Sequence, residues 1–179
     1  MDRTGLAFLT VFGLVWWLAG ASALGGGLWP VAAVAGCAVA AGVWRSGRDV
    51  RTAARTPLPG DMRRRFGRIN ALQWLGIGLV VAAALAGRVP ELIPGLVAVV
   101  VGLHFLPLAA LFQQPRFHLT GALMISVGAA GCAVSAAGGP ANAARMAVGL
   151  GAAAVLWGTA CLARHAPTGP GTEGHTQTT

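Results

Sequence analysis

His104 is the single acidic or basic side chain set well inside an apolar run, Val99–Phe112, and Pro107 follows it three residues later. An imidazole in that setting can bind a small ligand, pass a proton, or act as an internal hydrogen-bond post. Pro107 has no N–H to give to the carbonyl of Leu103, so one acceptor is freed beside it. At the helical rise His104 lies about 12 Å from the end of its run, Ser126, Trp157 and Cys37 about 9–11 Å from theirs, and Trp16 about 15 Å. Trp17 follows directly, and tryptophan is uncommon at such depth because its indole N–H seeks an acceptor. His104, Ser126, Trp16, Trp17 and Trp157 therefore form a candidate ligand-binding layer. The simpler reading of the same residues is a satisfied structural pin, with Ser126, Trp16 or Trp17 as the expected partner of His104. Asn70 and Gln73 are poorer partners, because antiparallel side chains at those depths lean apart.

Three further constellations lie at the ends of apolar runs. Asn70, Gln73, Gln113, Arg116 and His118 share one end, either lining a vestibule or satisfying helix termini. Glu91 and Arg145 share the other end, as an ion pair or as an arginine that snorkels to headgroups beside a solvated carboxylate. Arg45, Arg48, Arg51, Arg55, Arg63, Arg64, Arg65 and Arg68 crowd one connection. They can bind anionic lipid headgroups, or serve only to hold that connection on the cytoplasmic side.

Other chemistries lack their residues. No Asp or Glu interrupts a run, and a bis-histidine haem needs a second facing imidazole. Cys37, Cys132 and Cys161 stand apart without CxxC or Cys/His spacing, so no disulfide framework or metal site is expected. They read as small packing residues. No HExxH, P-loop, dinucleotide motif or catalytic triad appears. No cofactor and no catalytic residue is expected.

These groups need elements to carry them, and composition says which. Of 179 residues, 55% are hydrophobic and 10% charged, against roughly 25% charged in a soluble domain. All thirteen basic residues are arginine, and Ala and Gly are abundant, a bias of GC-rich bacterial genomes. The net charge of +8 does not indicate nucleic acid, because most arginines fall in one connection between apolar runs.

Six runs are long enough to span a bilayer, which takes about 20 residues per helix: 6–24, 28–44, 69–87, 92–112, 119–138 and 146–163. Each is continuous rather than alternating, which excludes barrel strands. With the N-terminus cytoplasmic, every arginine except Arg88 and Arg145 falls inside. The expected fold is thus an all-α transmembrane bundle over 1–165, six spans, N-in and C-in, with an Arg-rich cytoplasmic loop at 45–68. Residues 166–179, rich in Pro, Gly and Thr, are expected to form a disordered cytoplasmic tail. Ala21-Ser22-Ala23 has the form of a signal-peptidase site, but the weakly charged start and the long Trp-containing run favour an uncleaved first helix.

Small residues recur at four-residue spacing in Ala21/Gly25, Gly128/Cys132 and Ala147/Gly151, a pattern that lets helices approach closely. Ala-Gly-Cys-Ala-Val occurs at 35–39 and at 130–134. It would suit an inverted repeat, although chance explains it as well in so Ala-rich a chain. The function expected is a non-catalytic module of a bacterial cytoplasmic membrane. Its partners are the bilayer, anionic headgroups and a second copy or another chain. The rival is a small-solute transporter or channel built on His104; an enzyme acting on lipid or isoprenoid is less supported.

Overall fold

A computed structural model describes residues 3–47 and 60–162. Those residues are helical throughout, joined by short turns, with no strand among them. The helices are α1 (Arg3–Ala21), α2 (Trp29–Ser46), α3 (Gly60–Ala86), α4 (Ile93–Phe112), α5 (Arg116–Ala136) and α6 (Ala141–Leu162). Single 3-10 turns follow α1 at Ser22–Leu24 and precede α4 at Pro90–Leu92. Arg48, Arg51, Arg55 and the 166–179 stretch lie outside the described residues.

Five stretches are long and apolar enough to cross a membrane: Gly5–Leu24, Gly60–Ala86, Pro90–Phe112, Arg116–Ala136 and Ala141–Leu162. They mark a multi-pass membrane protein. α2 falls outside that set, its 18 residues taking in Trp29, Pro30, Arg45 and Ser46 at the ends. α3 begins earlier than the apolar run at 69, so Arg63, Arg64, Arg65 and Arg68 ride on its first turns rather than in a loop. Its 27 residues reach about 40 Å, against about 30 Å for α4. Pro107 sits inside α4 without ending it.

Three hairpins close in the same way. α3, α4 and α5 each end near a residue of positive φ: Arg88 (56°), Gln113 (51°) and Gly138 (75°). The next amide then reaches back five residues, Val89 N to Ala84 O at 2.9 Å, Gln114 N to Ala109 O at 3.0 Å and Gly139 N to Val134 O at 2.9 Å. Those bonds satisfy carbonyls a helix end would otherwise leave bare. A proline follows each time, Pro90, Pro115 and Pro140, where it opens the next element.

Neighbour order in space is α2, α1, α6, α5, α4, α3; α6 also touches α4 and α2, while α2 and α3 have no contact. Every adjacent pair is antiparallel. Leu6 meets Gly47 and Trp17 meets Gly36 across α1–α2, and Gly20 meets Gly149 while Trp157 meets Gly13 across α1–α6. On the other side, Thr120 meets Thr159 and Gly131 meets Val148 across α5–α6. Gly95 faces Gly128 and Gly102 faces Gly121 across α4–α5, and Phe66 meets Phe112 across α3–α4.

Glycine does most of this fitting. A Cβ on Gly95 would lie 2.6 Å from Cys132 Sγ and 2.7 Å from Gly128 O. Of the small pairs read in the sequence, Gly128/Cys132 forms such an interface. Gly151 packs at Val127, but Gly25 lies in the turn after α1 with open space around it. The core is drawn mainly from α1, α4, α5 and α6: Leu6, Leu9, Met124, Val148 and Leu156 are all at most 2% exposed. The shared pentapeptide gains no structural echo. Residues 35–39 lie largely on the open side of peripheral α2, whereas 130–134 belong to α5, clasped between α4 and α6.

Candidate functional site

His104 is 9% exposed, on the face of α4 that meets α3. Its ring lies edge-on to Phe105, centroids 6.2 Å apart, and is near the backbone of Ile69 on α3. Nδ1 has no hydrogen-bond partner. An imidazole nitrogen shielded from solvent in this way keeps the capacity to accept or donate one more bond.

The other members of the expected layer lie elsewhere. Ser126 is exposed and returns its hydroxyl to Ala122 O at 2.9 Å. Trp17 donates to Ala32 O of α2 at 2.7 Å. Trp157 donates to Thr10 O of α1 at 3.2 Å, and the two indole rings stack obliquely at 5.6 Å. Trp16 is half-buried against the same core. Trp17 and Trp157 thus pair where α1, α2 and α6 meet, and the structure brings neither the three tryptophans nor Ser126 to His104. The physical reason is neighbour order: α1 packs on α6 and does not touch α4. Equal depth placed these residues in one layer, but the layer is wide.

At the end of the bundle where α3 and α5 begin, Asn70 and Gln73 are half-buried on α3. Gln113 is exposed in its left-handed conformation, and His118 is exposed on α5. Arg116 is half-buried and hydrogen-bonds Gln114 Oε1. α3 touches α4 but not α5, so Asn70 and Gln73 stand apart from Arg116 and His118.

Beside Arg116 a cleft of about 290 Å³ opens between α5 and α6, lined by Leu119, Leu123, Val155 and Leu162 among others. Thr120 and Thr159 close its back, their hydroxyls 2.8 Å apart. Each hydroxyl has one proton to give. Thr159 donates to Val155 O at 2.8 Å, so Thr120 donates to Thr159 and its 3.1 Å contact with Arg116 O is the alternative. This pair, like the buried Thr10 that donates to Leu6 O at 2.8 Å, was not singled out from sequence. The available signal was a hydroxyl alone in an apolar helix, which must find an acceptor on its own backbone or a neighbour.

Glu91 and Arg145 are both exposed and form no ion pair, although the turn carrying Glu91 touches α6. Ser135 Oγ donates instead to the backbone oxygen of Glu91 at 3.3 Å. Arg45, Arg63, Arg64, Arg65 and Arg68 are exposed on the last turn of α2 and the first turns of α3. Cys132 packs against Gly95, whereas Cys37 is exposed on α2 rather than serving as packing. Among the described residues no three His, Cys, Asp or Glu side chains gather as metal ligands would. Comparison with protein-family models, curated proteins and solved structures found no match to this chain.

Proposed function

We propose that the chain is a six-span, N-in, C-in module of a bacterial cytoplasmic membrane that packs with a second copy or a partner and carries no catalysis. One observation bears most on the assembly role. Only 6% of the α3 span is buried, against 44% for α6, and Leu72, Trp74, Leu75 and Leu79 all face outward. A helix held by a single neighbour has a whole flank available for another helix, where van der Waals packing drives association in lipid. Counting α2 as the sixth span is supported by its course. It runs back along α1 until Gly47 lies against Leu6, near the start of the chain.

Cysteine labelling tests the topology: Gly60→Cys reacts only from the cytoplasm and Gly139→Cys only from outside. Reaction of both from one side refutes the odd number of crossings between them, α3, α4 and α5, and an exchange of the two sides refutes the orientation. Disulfide trapping tests the assembly. Leu75→Cys cross-links between chains in membranes, whereas Leu162→Cys on the opposite flank does not; equal trapping at both removes α3 as the interface.

A second reading, small-solute binding at His104, is favoured by the buried Nδ1 that lacks a partner. Under it His104→Ala abolishes solute uptake in vesicles while the protein stays monodisperse. Loss of folding instead gives the residue a structural role.

A further inference from the structure

We propose that the cleft between α5 and α6 seats one acyl chain of an anionic phospholipid, its phosphate held by Arg116. The proposal rests on the multi-pass reading above and names a lipid-binding site within it. Two features define the occupant. Arg116 stands at one end, where α5 begins, and the walls from there are apolar: Leu119, Leu123, Val155 and Leu162. Leu119 is 56% exposed and Leu162 65%, so the furrow opens outward to the lipid rather than inward to the core. From Arg116 to Leu123 it runs about 10 Å along the helix, in the direction a chain takes from a headgroup into a bilayer.

A cationic head end continuous with an apolar furrow matches an amphiphile of negative head and hydrocarbon tail. The guanidinium fork suits phosphate oxygens in particular. A polar solute would meet only hydrocarbon along the walls, since Thr120 and Thr159 spend their protons on each other and on Val155 O. A zwitterionic lipid fills the furrow as well but gains less from the arginine. Arg45, Arg63, Arg64, Arg65 and Arg68 are exposed on α2 and α3 and lie on no wall of this cleft.

Gly158 gives the test its control. It lines the cleft, and a Cβ there meets nothing within 4 Å. Gly158→Leu therefore projects a side chain into the furrow from a position whose Cβ has open space. Gly78→Leu adds the same side chain on the open face of α3. The full chain, purified in detergent, is titrated with equimolar phosphatidylglycerol and phosphatidylcholine, and bound lipid is counted by native mass spectrometry. The wild type retains phosphatidylglycerol in preference by about fivefold, the scale of one arginine at an anionic headgroup. Arg116→Gln brings the two lipids close to parity. Gly158→Leu lowers retention of both lipids, while Arg68→Gln and Gly78→Leu behave as wild type. Parity in the wild type, or unchanged retention in Gly158→Leu, overturns the proposal. Should Arg116→Gln fail to fold, Gly158→Leu alone decides. Release of the wild type from membranes by carbonate would instead refute the multi-pass reading beneath it.

Discussion

Gly102 of α4 and Gly121 of α5 face each other so closely that a Cβ on either would lie 2.8 Å from the other's carbonyl oxygen. The relationship is mutual, so neither helix can accept a side chain without moving away. Seven residues along each helix, Gly95 and Gly128 repeat the arrangement. Gly102→Ala and Gly121→Ala are each expected to destabilise the protein by about 1–3 kcal/mol, the usual penalty of overpacking. Gly67→Ala, where a Cβ meets open space, should be neutral or slightly stabilising through helix propensity. Thermal unfolding in one detergent compares all three; equal midpoints for Gly102→Ala and Gly67→Ala would deny the close contact.

The Thr120–Thr159 bond supplies a second measurement. Each hydroxyl keeps an intrahelical acceptor when the other is lost, so neither valine substitution strands a buried polar group. Thr120→Val and Thr159→Val are expected to cost about 0.5–1.5 kcal/mol each. The double variant should cost less than the sum by about 0.6 kcal/mol. Strict additivity in that cycle would remove the pair.

Gln113 and Arg88 hold positive φ without being glycine. The left-handed conformation carries an energy of about 1–2 kcal/mol for an L-residue with a Cβ. Gln113→Gly should therefore raise stability, less the extra chain entropy glycine brings to the unfolded state, for a net gain of up to about 1 kcal/mol. A lowered melting temperature would show that the Gln113 side chain holds the hairpin in some other way.

Glu91 and Arg145 are exposed and unpaired with each other. Glu91→Gln and Arg145→Gln should each shift stability within about 0.5 kcal/mol, and their effects should add. A coupling above about 1 kcal/mol would mean that the two charges meet at the membrane surface after all.

Several features of this protein follow from local chemistry and were legible in the residue order. Long apolar runs become helices because hydrocarbon leaves the backbone no partner but itself. Their breaks fall at Pro90, Pro115 and Pro140 because proline cannot continue a helix and suits the start of the next. The fine stops were only half visible: glycine announces a positive φ at Gly138, but Arg88 and Gln113 adopt it without any such sign.

Which helices touch was a tertiary decision. Amphipathicity identifies the inward face of a helix in water, but α4 is apolar nearly all round and the few polar residues of α5 are scattered about it rather than gathered on one face. Shape decided instead. Gly20 against Gly149 admits α1 to α6, Gly95 and Gly102 admit α4 to α5, and α3 is left with α4 alone. Depth along a helix can be counted from sequence at a fixed rise per residue, but azimuth cannot. That is why His104 and the tryptophans share a level of the bundle and not a site: the indoles turn into α1, α2 and α6, while the imidazole turns toward Ile69 on α3.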